Sequence, residues 1–193
     1  MIWDLACVST ISQPLKPPDE NSKPAWFALL VRPRHEQQAA LALKGKQLEV
    51  FLPTYRLRKR WSDRKKEYDA PLFPRYIFCH FGRNQRRAVL ETPSVQQVVG
   101  FGGQPYPVDE HELFALQSVE RSGLPAAPHA FVDVGQRVRI LDGPLSGLEG
   151  ILMSLKGNDR MVLSVSLLRR SVAVEIKRDW GRGLNAIPAA AGQ

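Results

Sequence analysis

The C-terminal part of the sequence alternates apolar and other side chains with a period of two, and this alternation restricts its fold. Val138 and Ile140 alternate with arginines, and the same pattern returns through 161–166 and 172–177. Such a period places one set of side chains on one face of a β-strand. Turn-forming residues such as Asp142-Gly143-Pro144 separate the stretches. We therefore predict a small β-barrel within residues 131–182.

The preceding region, residues 24–122, has the mixed patterns of an α+β domain. Short apolar stretches at 26–31 and 72–81 predict strands, and the alanine-rich and leucine-rich stretch at 36–48 predicts a helix. Both faces of the strand at 72–81 are largely apolar, so each must be covered. We predict a small antiparallel or mixed sheet with flanking helices.

Proline, capping and glycine residues indicate where the strands and helices of this domain begin and end. Pro53 lies within the predicted strand 50–57 and indicates an edge or a bulge. Asp109 and Glu112 have the spacing of a capping box at the start of a helix, and Gly123 stands at the expected stop.

The remaining segments predict how the chain is divided. Residues 1–23 lack periodicity and predict a flexible leader, and the proline-containing segment 123–130 predicts a linker. The predicted domains are therefore 24–122 and 131–182, followed by a flexible tail at 183–193.

Positive charge is concentrated in one part of the chain. The protein has 27 Lys and Arg against 19 Asp and Glu, a net charge of +8. Residues 32–87 contain 15 of these cations and 5 of these acids, a local net charge of +10. This concentration favours a polyanionic partner for the first domain rather than mere solubility.

Two sets of residues within this domain allow a functional and a structural interpretation. The basic run is Arg56, Arg58, Lys59, Arg60, Arg64, Lys65 and Lys66. It is suited either to a phosphate backbone or to a solvated hairpin. The aromatic set is Trp26, Phe27, Phe51, Tyr55, Phe73, Tyr76 and Phe78. It is suited either to a core or to an apolar docking patch for another protein.

The sequence lacks the spacings typical of enzymes. The histidines have no His-x-x-x-His spacing, no acidic cluster resembles a divalent-metal site, and no phosphate-binding glycine loop occurs. Cys7 and Cys79 are far apart, which excludes a disulfide framework and favours a reducing compartment. We expect no enzymatic activity, no cofactor and no metal.

The longest apolar runs are too short to span a bilayer, and the N-terminus carries Asp4 without a basic leader. We expect a cytoplasmic protein with no membrane partner.

Several motifs resemble NusG-type transcription elongation factors. Three motifs resemble the N-terminal domain of that family: Trp26-Phe27, Phe51-Leu-Pro53 and, above all, Pro71-Leu-Phe73-Pro74-Arg75-Tyr76-Ile-Phe78. Residues 134–150 resemble a KOW motif, which begins a small SH3-like barrel, and this resemblance implies a five-stranded β-barrel. Residues 32–36 and 60–66 look more like the specialised paralogues, the RfaH-like and polysaccharide-operon antiterminators.

The resemblance implies a transcription elongation and antitermination factor that acts on selected operons. Its N-terminal domain would bind the clamp helices of the RNA polymerase largest subunit through an apolar pocket and suppress pausing or termination. Carried onto this chain, the polymerase-binding residues would be Trp26, Phe27, Phe51, Tyr55, Phe73, Pro74, Tyr76 and Phe78.

The resemblance also implies contact with upstream DNA or the displaced non-template strand. Together with the basic run, the expected nucleic-acid-binding residues are Arg32, Arg34, His35, Arg58, Arg60, Arg64, Lys65, Arg83, Arg86 and Arg87.

The barrel would recruit ribosomal protein S10 or the termination factor Rho, with Leu145 and Leu148 as the expected contacts. We expect it to remain a barrel rather than refold into a helical hairpin, because β-branched residues with a period of two disfavour a helix.

We expect a monomer. An RNA-binding or ribosome-associated KOW protein without a polymerase role is the alternative, and a nuclease is disfavoured by the lack of an acidic cluster.

Overall fold

The computed structural model describes residues 23–61, 64–132, 137–155, 158–176 and 185–186. The predicted leader and tail lie almost entirely outside these ranges. The helices are α1 Glu36–Gly45, α2 Arg86–Leu90 and α3 Glu110–Ser122, and short 3-10 turns cover Arg83–Gln85 and Ser166–Leu168. The strands are β1 Ala25–Val31, β2 Glu49–Phe51, β3 Thr54–Trp61, β4 Arg64–Pro71, β5 Tyr76–Phe81, β6 Val95–Val98, β7 Gly100–Phe101, β8 Gln104–Pro105, β9 Ala126–His129, β10 Arg137–Arg139, β11 Glu149–Leu155, β12 Asn158–Val165, β13 Arg170–Ile176 and β14 Asn185–Ala186.

The N-terminal sheet has four antiparallel strands in the order β2-β5-β1-β6. On one face, Leu29 of β1 and Ile77 of β5 pack against Leu43 of α1. On the other face, Ala28 and Phe78 belong to the same buried cluster as the apolar side of α3. Both apolar faces expected for the strand at 72–81 are therefore covered.

Three boundaries in this domain differ from the prediction. The predicted strand 50–57 is divided into β2 and β3 at Pro53, which has no backbone N–H to donate to a ladder. The helix ends at Gly45 instead of residue 48, and Gln47 has a φ of 61° that a helix does not allow. The strand predicted from residue 72 begins at Tyr76, because Arg75 has a φ of 73°.

Of the two hydrogen-bonding halves of the capping box predicted for α3, the Asp109 half is confirmed. Asp109 Oδ1 accepts hydrogen bonds from the backbone N–H of His111 at 2.7 Å and of Glu112 at 3.4 Å. Gly123, with a φ of 66°, ends the helix in the left-handed conformation as expected. The reciprocal bond of a capping box is replaced, because the Glu112 carboxylate binds Ser166 in the C-terminal part of the chain.

A separate two-stranded hairpin, β3 with β4, carries the basic run. Thr54 lies opposite Pro71 at its base, and Trp61 lies opposite Arg64 near its tip. The segment is thus a hairpin, and both interpretations of its cations, phosphate binding and a solvated surface, stay predictions. The side chains of residues 58–66 lie outside the described part of the structure.

The C-terminal sheet has six antiparallel strands in the order β14-β10-β11-β12-β13-β9. Strand β9 lies within the segment predicted as a linker and pairs with β13, with Ala127 opposite Ala173. Within the described ranges, the edge strands β14 and β9 are not paired with each other. The α+β class and the β-structure of this region are confirmed, with six strands instead of the five predicted.

The two sheets share one core. A continuous cluster of buried apolar side chains includes Phe78 and Leu116 from the N-terminal part and Met161, Val165 and Val174 from the C-terminal part. Because burial of apolar area is the main favourable term in association, this shared cluster holds the two parts against each other.

Candidate functional site

Most of the predicted aromatic set gathers on one face of the N-terminal sheet. The ring of Phe78 stacks on Phe51 with centroids 6.0 Å apart and meets the edge of Phe73 at 5.7 Å. Trp26, Tyr55 and Tyr76 pack against the same cluster and are half-buried. We call this set the aromatic face.

The members of the aromatic face differ in accessibility. Phe73 and Phe78 are 0 % exposed and Phe51 is 8 % exposed, so these three rings belong to the core. Pro74 is exposed and Tyr76 is half-buried. Accessible contact area is therefore available from Trp26, Tyr55, Pro74 and Tyr76, whereas the three buried rings support them from below.

Phe27 is not part of the aromatic face. Strand residues alternate between the faces of a sheet, and Phe27 lies on the α1 side, where its ring packs on Phe81 with centroids 4.7 Å apart. The expectation that Phe27 shares one pocket with Tyr76 is therefore corrected.

The C-terminal sheet contacts the aromatic face directly. The guanidinium of Arg170 in β13 lies over the ring of Tyr76, 5.2 Å from its centroid. The Glu112 carboxylate of α3 accepts from the Ser166 backbone N–H at 3.1 Å and from the Ser166 hydroxyl at 2.7 Å. A cation over an aromatic ring and hydrogen bonds to a carboxylate are both attractive, so these contacts stabilise the packed arrangement.

The packing of the two sheets makes the ionised form of the Glu112 carboxyl less favourable. Burial raises the pKa of its carboxyl above the ordinary value of 4.5, and the hydrogen bonds from Ser166 oppose that increase. Removing the carboxylate from water is thus only partly compensated by its new partners.

The predicted nucleic-acid-binding side chains that the structure describes lie mostly at the surface. Arg32, Arg34 and His35 are exposed in the loop after β1. Arg83 and Arg87 are also exposed, and Arg87 pairs with Glu91 at 2.7 Å one turn along α2. Arg86 is half-buried, and its Nε is a buried atom without a hydrogen-bond partner.

Cross-strand register divides the hairpin into two electrostatic regions. Near its base, Arg56 lies opposite Asp69 and Arg58 lies opposite Glu67. Towards its tip, cations lie opposite cations: Lys59 opposite Lys66, and Arg60 opposite Lys65. Like charges directly opposite one another are unfavourable in a strand pair, so this register is less favourable at the tip than at the base.

The two predicted contact leucines of the C-terminal domain are buried. Leu145 is 1 % exposed and Leu148 is 6 % exposed, both in the shared cluster. As packed, neither forms an accessible patch, because the turn that carries them folds its apolar side chains inward.

The described residues contain no group of three or more His, Cys, Asp or Glu that could hold a metal ion. Cys79 is buried, and burial raises the pKa of its thiol to about 12, so it is a core residue and not a nucleophile. None of the helices in the described ranges is long and apolar enough to cross a membrane.

Sequence reasoning missed four residues that the structure brings into play. Ser166 and Arg170 contact the N-terminal part, and Glu36 binds the backbone N–H of Arg75 at 2.9 Å. Arg75 stood within the most informative motif of the chain. Its positive charge, at a place in the sequence between the buried Phe73 and Phe78, was the signal that could have identified it.

The fold combines an α+β N-terminal part, which carries a partly accessible aromatic face and a basic hairpin, with an antiparallel β-sheet packed against it. Residues 24–117 match the family described as NusG, transcription termination factor. The NusG of Lactococcus lactis is 32% identical over 139 residues, which cover 69% of this chain and 74% of that protein. The chain belongs to the NusG family of transcription termination and antitermination proteins.

Other relatives agree with this assignment. The NusG of Pseudomonas aeruginosa is 26% identical over 134 residues, which cover 67% of this chain and 76% of that protein. A solved structure described as "Domain interaction in Thermotoga maritima NusG" is similar in fold, with a TM-score of 0.50 and 19% identity. It covers 79% of this chain and 93% of that chain.

Proposed function

We propose that this protein binds the clamp helices of the RNA polymerase largest subunit through the aromatic face and suppresses pausing or termination on selected operons. Membership of the NusG family supports a role in transcription. The single observation that carries the proposal is the aromatic face, where Trp26, Tyr55, Pro74 and Tyr76 are accessible above a rigid base of buried rings. Amphipathic aromatic residues on such a base are typical of protein interfaces.

Polymerase binding would require the two sheets to separate. Arg170 occupies the space over Tyr76, and the shared cluster continues from the aromatic face into the C-terminal sheet. In this proposal the packed arrangement leaves only part of the face accessible and binds weakly, and separation exposes the rest of the face. The description of the Thermotoga maritima relative names a domain interaction in that protein, which supports such a contact here.

The basic surfaces would hold upstream or non-template DNA next to the polymerase. The hairpin tip supplies cations that lie opposite other cations, and the loop after β1 supplies Arg32 and Arg34. Lys and Arg near phosphates contribute affinity by releasing counterions, without reading sequence.

We expect the hairpin tip to dominate the salt dependence of DNA binding. Replacing Arg60 and Lys65 together with glutamine removes two cations that lie opposite each other, which relieves repulsion and leaves the fold at least as stable. The slope of log affinity against log salt should fall by about two, roughly one for each phosphate that is no longer neutralised. Fluorescence anisotropy with labelled DNA measures the slope.

A matched control is Arg56→Gln with Asp69→Asn, which removes an oppositely charged pair at the hairpin base. Its slope should equal that of the unchanged protein. An unchanged slope in the tip variant would show that the hairpin does not contact phosphate.

The C-terminal domain would recruit a second partner, ribosomal protein S10 or Rho. Contact through Leu145 and Leu148 would require these buried side chains to become exposed. Separation of the two sheets would expose surface for polymerase and for this partner together.

In transcription by purified bacterial RNA polymerase, the full chain should shorten the lifetime of elongation pauses. The reason is that a factor bound to the clamp disfavours the paused state. Pause lifetimes measured on a template with a defined pause site, with and without the protein, test this. Unaltered pausing together with tight, salt-sensitive RNA binding would instead support the ribosome-associated alternative.

A further inference from the structure

Three loops meet at one end of the N-terminal sheet: residues 32–35 after β1, residues 72–75 before β5 and residues 92–94 before β6. We call them the sheet-end loops. The Val31 backbone N–H donates to the Arg75 carbonyl at 2.9 Å, and the Arg32 N–H donates to the Ser94 carbonyl at 2.9 Å. Backbone hydrogen bonds thus tie the first loop to the third and hold the second loop against the end of β1. None of them contains an acidic residue.

Each sheet-end loop holds one residue other than glycine in the left-handed conformation. The φ angles are 64° for Arg34, 73° for Arg75 and 72° for Ser94. Such a conformation is unfavourable for a residue with a Cβ and persists only where its surroundings impose it. Strained positions of this kind cluster at functional sites, and here all three lie on one end of one sheet.

Glu36, the first residue of α1, holds the strained Arg75 in place. Its Oε1 accepts from the Arg75 backbone N–H at 2.9 Å, and the residue is 7 % exposed. The carboxylate is thus used inward, on the backbone, rather than outward on a guanidinium. Its position in the first turn of α1 favours the negative charge.

The side chain of Arg75 remains available at the surface. Arg75 is exposed, and its Nη2 donates to Gln96 Oε1 at 3.1 Å. That acceptor is a neutral amide, so this hydrogen bond orients the guanidinium over β6 without neutralising its positive charge. Arg32 and Arg34 are exposed in the loop that follows Val31, whose N–H donates to the Arg75 carbonyl.

We propose that the sheet-end loops form a contact site for the phosphodiester backbone of DNA, with Arg75 as a contact residue and Glu36 as its positioning residue. The inference rests on the proposed function and deepens it: it adds Arg75 and Glu36 to the contact already proposed for Arg32 and Arg34, separate along the chain from the hairpin tip. A guanidinium fixed by a neutral partner is ready to donate two parallel hydrogen bonds to one phosphate. The unfavourable backbone conformation at Arg75 places its guanidinium at this position.

The test is DNA binding by the full chain carrying Arg75→Gly, in anisotropy titrations at several salt concentrations. Glycine adopts a φ of 73° freely, so the melting temperature should stay the same or rise. The slope of log affinity against log salt should fall by about one, with several-fold weaker binding at low salt. Arg75→Lys, which keeps the charge, should retain most of the slope.

Ser94→Gly is the matched control, because it relieves the same strain in a bonded loop without removing a cation. Its DNA affinity should equal that of the unchanged protein. An equal loss of affinity in both glycine variants would assign the effect to loop conformation and overturn the role of Arg75. Duplex and single-stranded DNA of one sequence, titrated separately, show which form supplies the phosphates.

Substitutions of Glu36 distinguish a positioning role from an effect of net charge on DNA affinity. Removing an acid near a DNA site should tighten binding if charge alone matters. If Glu36 positions Arg75, Glu36→Ala should weaken binding, and Glu36→Gln, which keeps an oxygen acceptor, should restore it. Tighter binding by Glu36→Ala would overturn the positioning role.

The sheet-end loops and the hairpin tip respond to different variants, so the two DNA sites are tested separately. An unchanged slope in Arg75→Gly, beside a reduced slope in the hairpin-tip variant, would overturn only the sheet-end site. Absence of salt-dependent DNA binding in the unchanged protein would overturn both DNA assignments.

Discussion

Replacing Tyr76 with alanine is expected to abolish retention of RNA polymerase while the protein stays folded. Tyr76 is half-buried at the start of β5, next to the exposed Pro74, so it is an accessible anchor rather than a core residue. Truncating an aromatic anchor at the centre of an interface costs about 2 to 4 kcal/mol of binding free energy. That corresponds to roughly a 30-fold to 1,000-fold loss of affinity. Pull-down of polymerase on the immobilised protein measures it.

Phe73→Ala is the informative comparison for this variant. Phe73 is 0 % exposed and meets Phe78 edge to face, so its removal leaves a cavity in the core. The free energy of unfolding should fall by about 3 to 5 kcal/mol, seen as a lower midpoint in urea. Loss of polymerase by Phe73→Ala would therefore report on folding, whereas loss by Tyr76→Ala reports on the surface. Full retention of polymerase by a folded Tyr76→Ala protein would contradict the proposed binding face.

The second large effect is expected in the opposite direction, from loosening the packing between the two sheets. The double variant Glu112→Ala with Arg170→Ala removes the hydrogen bonds to Ser166 and the cation over Tyr76. Hydrogen bonds to a charged group contribute roughly 1.5 to 3 kcal/mol, less where solvent screens them, and a half-buried cation over a ring about 0.5 to 2 kcal/mol. A net decrease of about 1.4 kcal/mol raises the open population about tenfold. The same pull-down should retain correspondingly more polymerase.

Arg160→Ala is the control for the double variant. Arg160 pairs with Glu175 at 3.0 Å across β12 and β13, so this substitution weakens the C-terminal sheet internally and leaves Glu112, Ser166 and Arg170 in place. Polymerase retention should then be unchanged. Equal or lower retention by the double variant would show that the packed arrangement does not limit access to the aromatic face.

The aromatic motif around Tyr76 illustrates how far local sequence determines a binding face. Period-two alternation placed Tyr76 and Phe78 on one face and Ile77 on the other, and the structure has this arrangement. The alternation also separates Trp26 from Phe27, a consequence that the expected pocket overlooked. Alternation states which residues share a face, whereas what covers that face depends on chain far away in sequence.

Glu112 shows the same limit at one residue. Its spacing from Asp109 is that of a capping box, and Asp109 does cap α3. The Glu112 side chain instead binds Ser166, 54 residues further along the chain. A local pattern indicates the partners within reach in the helix, but it contains no information about a donor that another sheet brings to the same place.

By itself the sequence determined strands β10, β12 and β13 of the C-terminal sheet, the cap and stop of α3 and the concentration of cations in residues 32–87, and it indicated the family. The strands, the cap and the stop follow from periodicity and turn residues, which act over a few neighbouring residues, whereas the family came from the resemblance of motifs. Only the tertiary structure decided which aromatic rings are core, that cations oppose cations at the hairpin tip, that Glu36 holds a strained Arg75, and that the C-terminal sheet packs on Tyr76. The hairpin register depends on where the turn falls in a run of similar residues, which no pattern in that run marks. The other three depend on burial or contact with chain far away in sequence, which the packing of the whole molecule sets.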